Sequence, residues 1–462
     1  MDKVFKWIFG VGGLLLLLLA ALWGVSKLVG PSRAERDALA LMSVSEKPQG
    51  RNAYADLWLA DHDVPAAGRD ALLAADVAAF AATPMSEDGK PVPFVSGVEA
   101  RYRNDAPDQA GSKLLCSPRE DCLAKVRADL PAYEKLAASH AAWFARRAEA
   151  TRADHLANPF PSRIDMPFLS FGTAYAPATT LALQFAKGDR EAALAGTCSR
   201  LADWRRLGAR TDMLISWAVG QAYAGRGYAS LLAQMLAEWP NDAPLPASCG
   251  AALALPDKEE TTMCPAVRGE YRFTSEGVAA MLTEQARRKG VQEKLLFDRD
   301  MTRAQMAAPL ARFCTAEADA LFARDEPLPP FEPASMVRLQ CVSNAVGCIL
   351  GKVAEPGFDT YAARHRDYLA VMRMLAALAW WRGQPDALSD PAAVLHRLPA
   401  AYRLSARVLR VEQQPWVRQV MTPQGPRALT SRVPVLRVPT PASQEALPVL
   451  PLPGSRLAPA TP

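Results

Sequence analysis

The residues best able to do chemistry are few. Five histidines occur: His62, His140, His155, His365 and His396. His62 stands between Asp61 and Asp63. A carboxylate beside an imidazole can orient it as a base or a metal ligand. Adjacent side chains seldom converge on one point, however, and this triplet falls at a helix end, where aspartate serves as a cap. Asp154-His155 has the same character and precedes a proline-rich break. His140 has no glutamate at zinc-ligand spacing, and no H-E-x-x-H occurs. The acids offer Glu259-Glu260 and, beside Arg268 and Arg272, Glu270. Two carboxylates suffice to cleave a glycosidic bond if they face each other across ~5 to 9 Å, which sequence spacing does not decide. The expectation for Glu270 is a structural ion pair.

Eight cysteines follow: Cys116, Cys122, Cys198, Cys249, Cys264, Cys314, Cys341 and Cys348. An even number outside a membrane fits disulfides in an oxidising compartment. The spacing points to a Cys116–Cys122 bridge closing a surface loop and to a Cys249–Cys264 bridge. Cys341 and Cys348 share one face of a predicted helix over residues 334–354, about 10.5 Å apart along its axis. That is too far for a mutual disulfide in an unbroken helix. They are expected to pack as small hydrophobes or to bond separate partners, Cys314 among them. No C-x-x-C, G-x-S-x-G or phosphate-loop motif occurs. The glycines Gly10, Gly12 and Gly13 lie in an apolar run and form no dinucleotide fingerprint. The reading is therefore no catalytic, cofactor-binding or metal-ligating set, and no enzyme.

The elements that would position these residues begin with the run WIFGVGGLLLLLLAALWGVS, residues 7–26, which carries no charge. Twenty residues at about 1.5 Å each span a hydrocarbon core of roughly 30 Å. Trp7 and Trp23 sit near its ends, where indole rings favour the interface. The run exceeds a signal-peptide core and no clean A-x-A site follows it, so an uncleaved signal anchor is predicted. Lysines and arginines flank it almost evenly, and the cysteines tip the orientation outward. Residues 1–6 then form a cytoplasmic tail and the body lies in the periplasm of a bacterium. An arginine-to-lysine ratio of 40 to 13 fits a GC-rich bacterial genome.

Of 462 residues, 50% are hydrophobic and 22% charged, an ordinary globular mix that excludes general disorder and fibres. A net charge of +5 is too small to argue for a nucleic-acid partner. Helical periodicity divides the body into an N-terminal region, 33–240, and a C-terminal region, 241–410. Residues 83–112 read as a long loop. A long amphipathic helix is predicted from Pro131 to His155. Residues 173–187 form another, closed by Gly188; Asp189 caps the next, and Asp212 opens a third over 213–239. The stretch LALQFAKGDREAALA resembles one tetratricopeptide unit, but no 34-residue period repeats it, so it supports helix packing only. Trp204-Arg205-Arg206 reads as local stacking and pairing.

Helices resume at 274–289 and 303–323, DEPLPPFEP (325–333) is a stiff linker, and 361–383 is a helix buried over most of its girth. In that helix Trp380 is expected in the core and Trp381 as a partly exposed cap. Eleven of the 38 prolines fall in residues 411–462, which predicts a partly disordered tail. Within it VPVLRVP alternates and could pair as an edge strand.

The predicted fold is all-α: a membrane-anchored array of antiparallel helical hairpins with long Pro-rich loops and a largely irregular C-terminal tail. The predicted function is a single-pass inner-membrane protein, probing no chemistry of its own, that binds a protein partner as an envelope accessory. An immunity-type inhibitor is one specific form. The alternatives are an envelope hydrolase or lipid-acting enzyme with a carboxylate site outside known motifs, and a sensor with an apolar ligand cavity.

Overall fold

An apolar helix begins the chain, Asp2–Val29. Its stretch Trp7–Val29 carries an 18-residue window of mean hydropathy 2.4, none of which is buried, while Ser26 near its end is fully buried. Among the described residues it is the one helix long and apolar enough to cross a membrane. The body clasps its end. Ser26 Oγ donates to Leu339 O at 2.6 Å, Lys27 pairs with Asp298 at 2.8 Å, and Trp23 Nε1 donates to Leu295 O at 2.6 Å. Nearby in sequence, Leu295, Leu296, Val337 and Ile349 are left exposed. The computed structural model describes residues 2–45, 48–84, 94–289, 295–332, 335, 337–354, 357–422 and 425–457. Part of the predicted 83–112 loop lies outside them.

The body is mostly helical, with one small three-stranded sheet. Capping follows from the sequence at Arg33–Met42, where Ser32 accepts from Glu35 N–H and the Glu35 carboxylate accepts from Ser32 N–H. Gly188, at φ +102, ends Pro177–Ala186, since a side chain is strained there. Two expected caps go elsewhere. Asp189 accepts from Gln184 Nε2, and Asp212 accepts from Asn158 N–H. The long helix predicted through His140 is two helices, Leu130–Ser139 and Ala141–Ala150, because His140 adopts φ −122 and its ring turns to Asp105 O.

The helices Arg190–Ala209 and Leu214–Gln221 touch through glycine. A Cβ on Gly220 would lie 2.7 Å from Gly208 Cα, so nothing larger fits at that crossing. The second helix then widens into a π segment, Ala222–Tyr228, before returning to α geometry at Ala229–Ala237. Gly357–Trp381 is the central helix, with every residue from Asp367 to Leu378 buried. The largest apolar cluster draws on residues from both sides of position 240 and includes Leu436, Leu450 and Leu452.

Two expectations are corrected here. Trp381, not Trp380, is the core residue: it is fully buried and its Nε1 donates to Ala387 O at 3.0 Å. It lies three and seven positions past Leu378 and Met374, so it continues their stripe. The C-terminal region is not a largely irregular tail. Strand β1 (Arg410–Thr422) pairs antiparallel with β2 (Gly425–Arg437), which pairs with β3 (Leu450–Pro451). Pro434 is tolerated in the middle strand because only its carbonyl is used, accepting from Leu452 N–H at 3.0 Å. Residues 458–462 lie outside the described residues.

The cysteines form four pairs: Cys116–Cys122, as expected, Cys198–Cys249, Cys264–Cys314 and Cys341–Cys348. The expected Cys249–Cys264 bridge is absent because helix packing brings Cys198 and Cys314 to those positions instead. The Cys341–Cys348 pair forms because its helix is broken. Asn344, at φ −138, separates Gln340–Ser343 from Ala345–Ala354 and brings the two Cα atoms to 5.8 Å. The break has its own cause: Asn344 Oδ1 accepts from Asp298 N–H and Thr302 Oγ1, and its Nδ2 donates to Gln305.

The Cys198–Cys249 link closes a loop 51 residues apart in sequence. Replacing both by alanine is expected to lower stability by about 4 kcal/mol. Urea unfolding of the oxidised protein measures it.

Candidate functional site

Three arginines from separate parts of the chain converge on one carboxylate. Arg119 lies in the loop closed by Cys116–Cys122, Arg226 on the π segment and Arg364 on the central helix. Each pairs with Glu445, at 3.4, 2.7 and 3.1 Å respectively. Among the described residues Glu445 is the acid paired to all three. The local chemistry explains the placement. A seven-residue disulfide loop ahead of the helix Cys122–Ala128 carries Arg119. The π segment inserts an extra residue per turn and so turns Arg226 out of the α-helical register. Gly227 makes the segment possible there, because a Cβ would lie 2.5 Å from the Tyr175 ring.

Glu445 rides on a strap, residues 441–449, which bends at 442–445 and then runs without regular structure to β3. Ala442 N–H and Ser443 N–H donate to the two oxygens of Asp367 at 2.7 and 2.8 Å, fixing the strap at one end. β3 fixes the other. Between them no main-chain to main-chain hydrogen bond joins residues 444–449 to the helices. A cavity of about 370 Å³ lies on one side of Glu445, lined by Trp217, Gln221, Gly225 and Tyr368. Another of about 500 Å³ lies on the other, lined by Ser230, Gln234 and Pro448. The Gln234 side-chain oxygen is buried there without a partner.

Beneath the cleft runs a buried polar chain. Gln221 Nε2 lies 2.7 Å from His365 Nδ1, and His365 Nε2 lies 2.8 Å from Thr261 O. The carbonyl can only accept, so Nε2 carries the proton and Nδ1 accepts from Gln221. Burial holds this imidazole neutral, with its pKa lowered to about 4. Next to Thr261, Glu260 accepts from Tyr368 Oη at 2.6 Å and from both ends of the Arg205 guanidinium at 2.8 and 2.6 Å. Burial, with the Glu260 charge adding to it, pushes the Tyr368 hydroxyl pKa well up, so it stays a donor. Burial opposes the Arg205 charge, but the Glu260 hydrogen bond and field prevail and raise its pKa.

The residues singled out from sequence land elsewhere. Asp61 accepts from Trp143 Nε1 and Arg147, Asp63 accepts from Arg103 N–H, and His62 Nδ1 is buried without a partner. The triplet therefore does not act as a unit. Asp154 accepts from Arg51 N–H, while His155 is buried with Nδ1 unpartnered. Glu259 pairs with Arg210 on the surface, away from the Glu260 network. Arg268 donates to Leu41 O and Arg272 to Ser45 Oγ. Glu270 instead accepts from Leu214 N–H and lines an apolar cavity of about 240 Å³ with Phe168, Ile215 and Phe273. Burial raises its pKa, with that hydrogen bond opposing. Of the expected local stacking and pairing, the pairing is present in Arg206 with Asp203, while Trp204 is buried edge-on to the distant Tyr223 and Arg205 pairs with Glu260.

The sequence reading missed Arg119, Arg226, Arg364 and Glu445. Their one advance signal is the short cysteine loop around Arg119; the rest is long-range. Among the described residues no group of three or more His, Cys, Asp or Glu could hold a metal ion. The arrangement that does exist can bind an anion with charge-assisted, geometrically specific hydrogen bonds. Compared with family models, curated proteins and solved structures, the chain gives no match.

His365 gives a pH prediction. Its folded pKa is depressed, so between about 6.5 and about 4 the unfolded chain binds a proton that the native state does not. Stability therefore falls as pH drops through that window, by up to about 3 kcal/mol. Urea unfolding from pH 7 to pH 4 should show the loss, and His365→Gln should flatten it. Glu260→Ala should cost about 3–5 kcal/mol, since Arg205 is left buried and unpaired.

Proposed function

We propose that this is a single-pass membrane protein, anchored through residues 7–26, whose disulfide-braced helical body faces an oxidising compartment, the bacterial periplasm. It acts by binding another protein as an envelope accessory rather than by catalysis. An immunity-type inhibitor is one specific form of that role. The observation that carries the reading is the pairing of one unburied apolar helix with a body holding four disulfides. Disulfides persist on the oxidising side of a membrane. The contacts of Ser26, Lys27 and Trp23 with the body hold it close to the bilayer. Such tethering raises the effective concentration of membrane-bound partners.

A second reading, a lipid-acting or hydrolytic enzyme, draws on Glu270. A half-buried carboxyl with a raised pKa beside an apolar cavity is the form a general acid takes.

Maleimide labelling of intact and permeabilised cells, with and without reductant, tests the orientation. The expected result is cysteines that react only after reduction and a body cleaved by protease added outside the inner membrane. Free thiols and a protected body would place it in the cytoplasm. Glu270→Gln should leave partner crosslinking in cells unchanged; its loss, together with loss of a lipid-cleavage product, would favour the enzyme.

A further inference from the structure

We infer that the groove beneath the strap is a binding site for an acidic peptide segment of a partner protein, and that residues 441–449 occupy it as an internal stand-in. This rests on the reading that the protein works by binding. The first ground is charge. Arg119, Arg226 and Arg364 bring three positive charges to the single carboxylate of Glu445. The acids on the rim are already engaged: Glu120 with Lys125, Asp121 at the cap of Cys122–Ala128, and Asp367 with Arg407. Three guanidinium groups thus share the one carboxylate of Glu445, and a ligand with a second acid would match them better than the strap does. Guanidinium clusters recognise such acidic motifs bidentately.

The second ground is shape. The groove already holds a peptide. The strap bends at 442–445 and runs irregular to β3, and its Glu445 and Leu447 both line the two cavities. Those cavities leave room for side chains longer than the strap provides. Gln234 lines the second of them. The third ground is how the strap is held. Asp367 and β3 secure its ends, yet residues 444–449 make no main-chain ladder with the helices. That middle stretch can lift while its ends stay fixed. The ligand is thus a segment with a glutamate or aspartate and an apolar residue two positions on, as Glu445 and Leu447 stand.

The test uses full-length protein in detergent micelles and a fluorescein-labelled peptide, Pro-Ala-Ser-Gln-Glu-Ala-Leu-Pro-Val, the strap's own sequence. A second peptide carries glutamine in place of the glutamate. Anisotropy should show the glutamate peptide binding Glu445→Gln protein roughly tenfold tighter than wild type. The glutamine peptide should bind that variant roughly tenfold more weakly. Adding Arg226→Gln and Arg364→Gln should abolish binding. Affinity should fall between about 50 and about 300 mM salt. Glu445→Asp, one methylene shorter, is a second opening variant and should give the same order of affinities. A variant with wild-type circular dichroism and melting that binds neither peptide, or both equally, overturns the proposal. So does inorganic phosphate competing as well as the peptide, which would make this a free-anion site. Failure here leaves the labelling result on orientation standing, so the two readings fail separately.

Discussion

A buried charge cluster near the middle of the central helix governs how the C-terminal third is placed. Arg407 donates to Asp325 at 2.8 Å and pairs with Asp367, and all three residues are buried. Asp325 sits at φ +62, a conformation rare for a residue with a side chain, and both its carboxylate and its carbonyl are bonded to arginines. A buried charge without its partner costs several kcal/mol, so the members stand or fall together. Through them four segments are locked: the linker after Phe322, the central helix, the chain entering β1, and the strap. Asp367 does two tasks at once, pairing with Arg407 and accepting from two strap amides.

From that constraint the candidate site follows. With its first residues fixed at Asp367, the strap must cross the π segment to reach β3. Glu445 then falls among the arginines. The π segment matters because it sits between the glycine crossing at Gly208 and Gly220 and the tyrosines of the core. The tight crossing fixes one end of that helix, and Gly227 lets Tyr175 close on the other. The polar chain through Gln221, His365, Thr261 and Glu260 then stiffens the floor of the groove without exposing a charge. Over that floor the strap is held by its side chains, Glu445 on three arginines and Leu447 on the core, rather than by a main-chain ladder.

Local features were legible in the sequence. The apolar span, the stop at Gly188 and the Cys116–Cys122 loop each depend on neighbours within a few residues. The central helix was legible because its apolar residues cover most of its girth. What depends on distant partners was not. Asn344 breaks a helix that looks continuous because Asp298, Thr302 and Gln305 claim its amide. Prolines in β1 and β2 hid a hairpin whose ladder needs cross-strand pairing to exist. Arg119, Arg226, Arg364 and Glu445 are spread over more than three hundred residues, and no periodicity links them. The acids beside His62 bond outward to Trp143 and Arg103 rather than to the ring.

The central claim is that the buried cluster at Asp367 seats the strap over a groove that is otherwise complete. Hydrogen–deuterium exchange of full-length Asp367→Asn, beside wild type, tests it most directly. The account predicts fast exchange at residues 442–447 in the variant, with protection kept along Leu214–Ala237 and Leu369–Leu378. Unchanged protection of the strap would contradict it, as would loss of protection throughout the helices, which would make the strap part of the core rather than its cover.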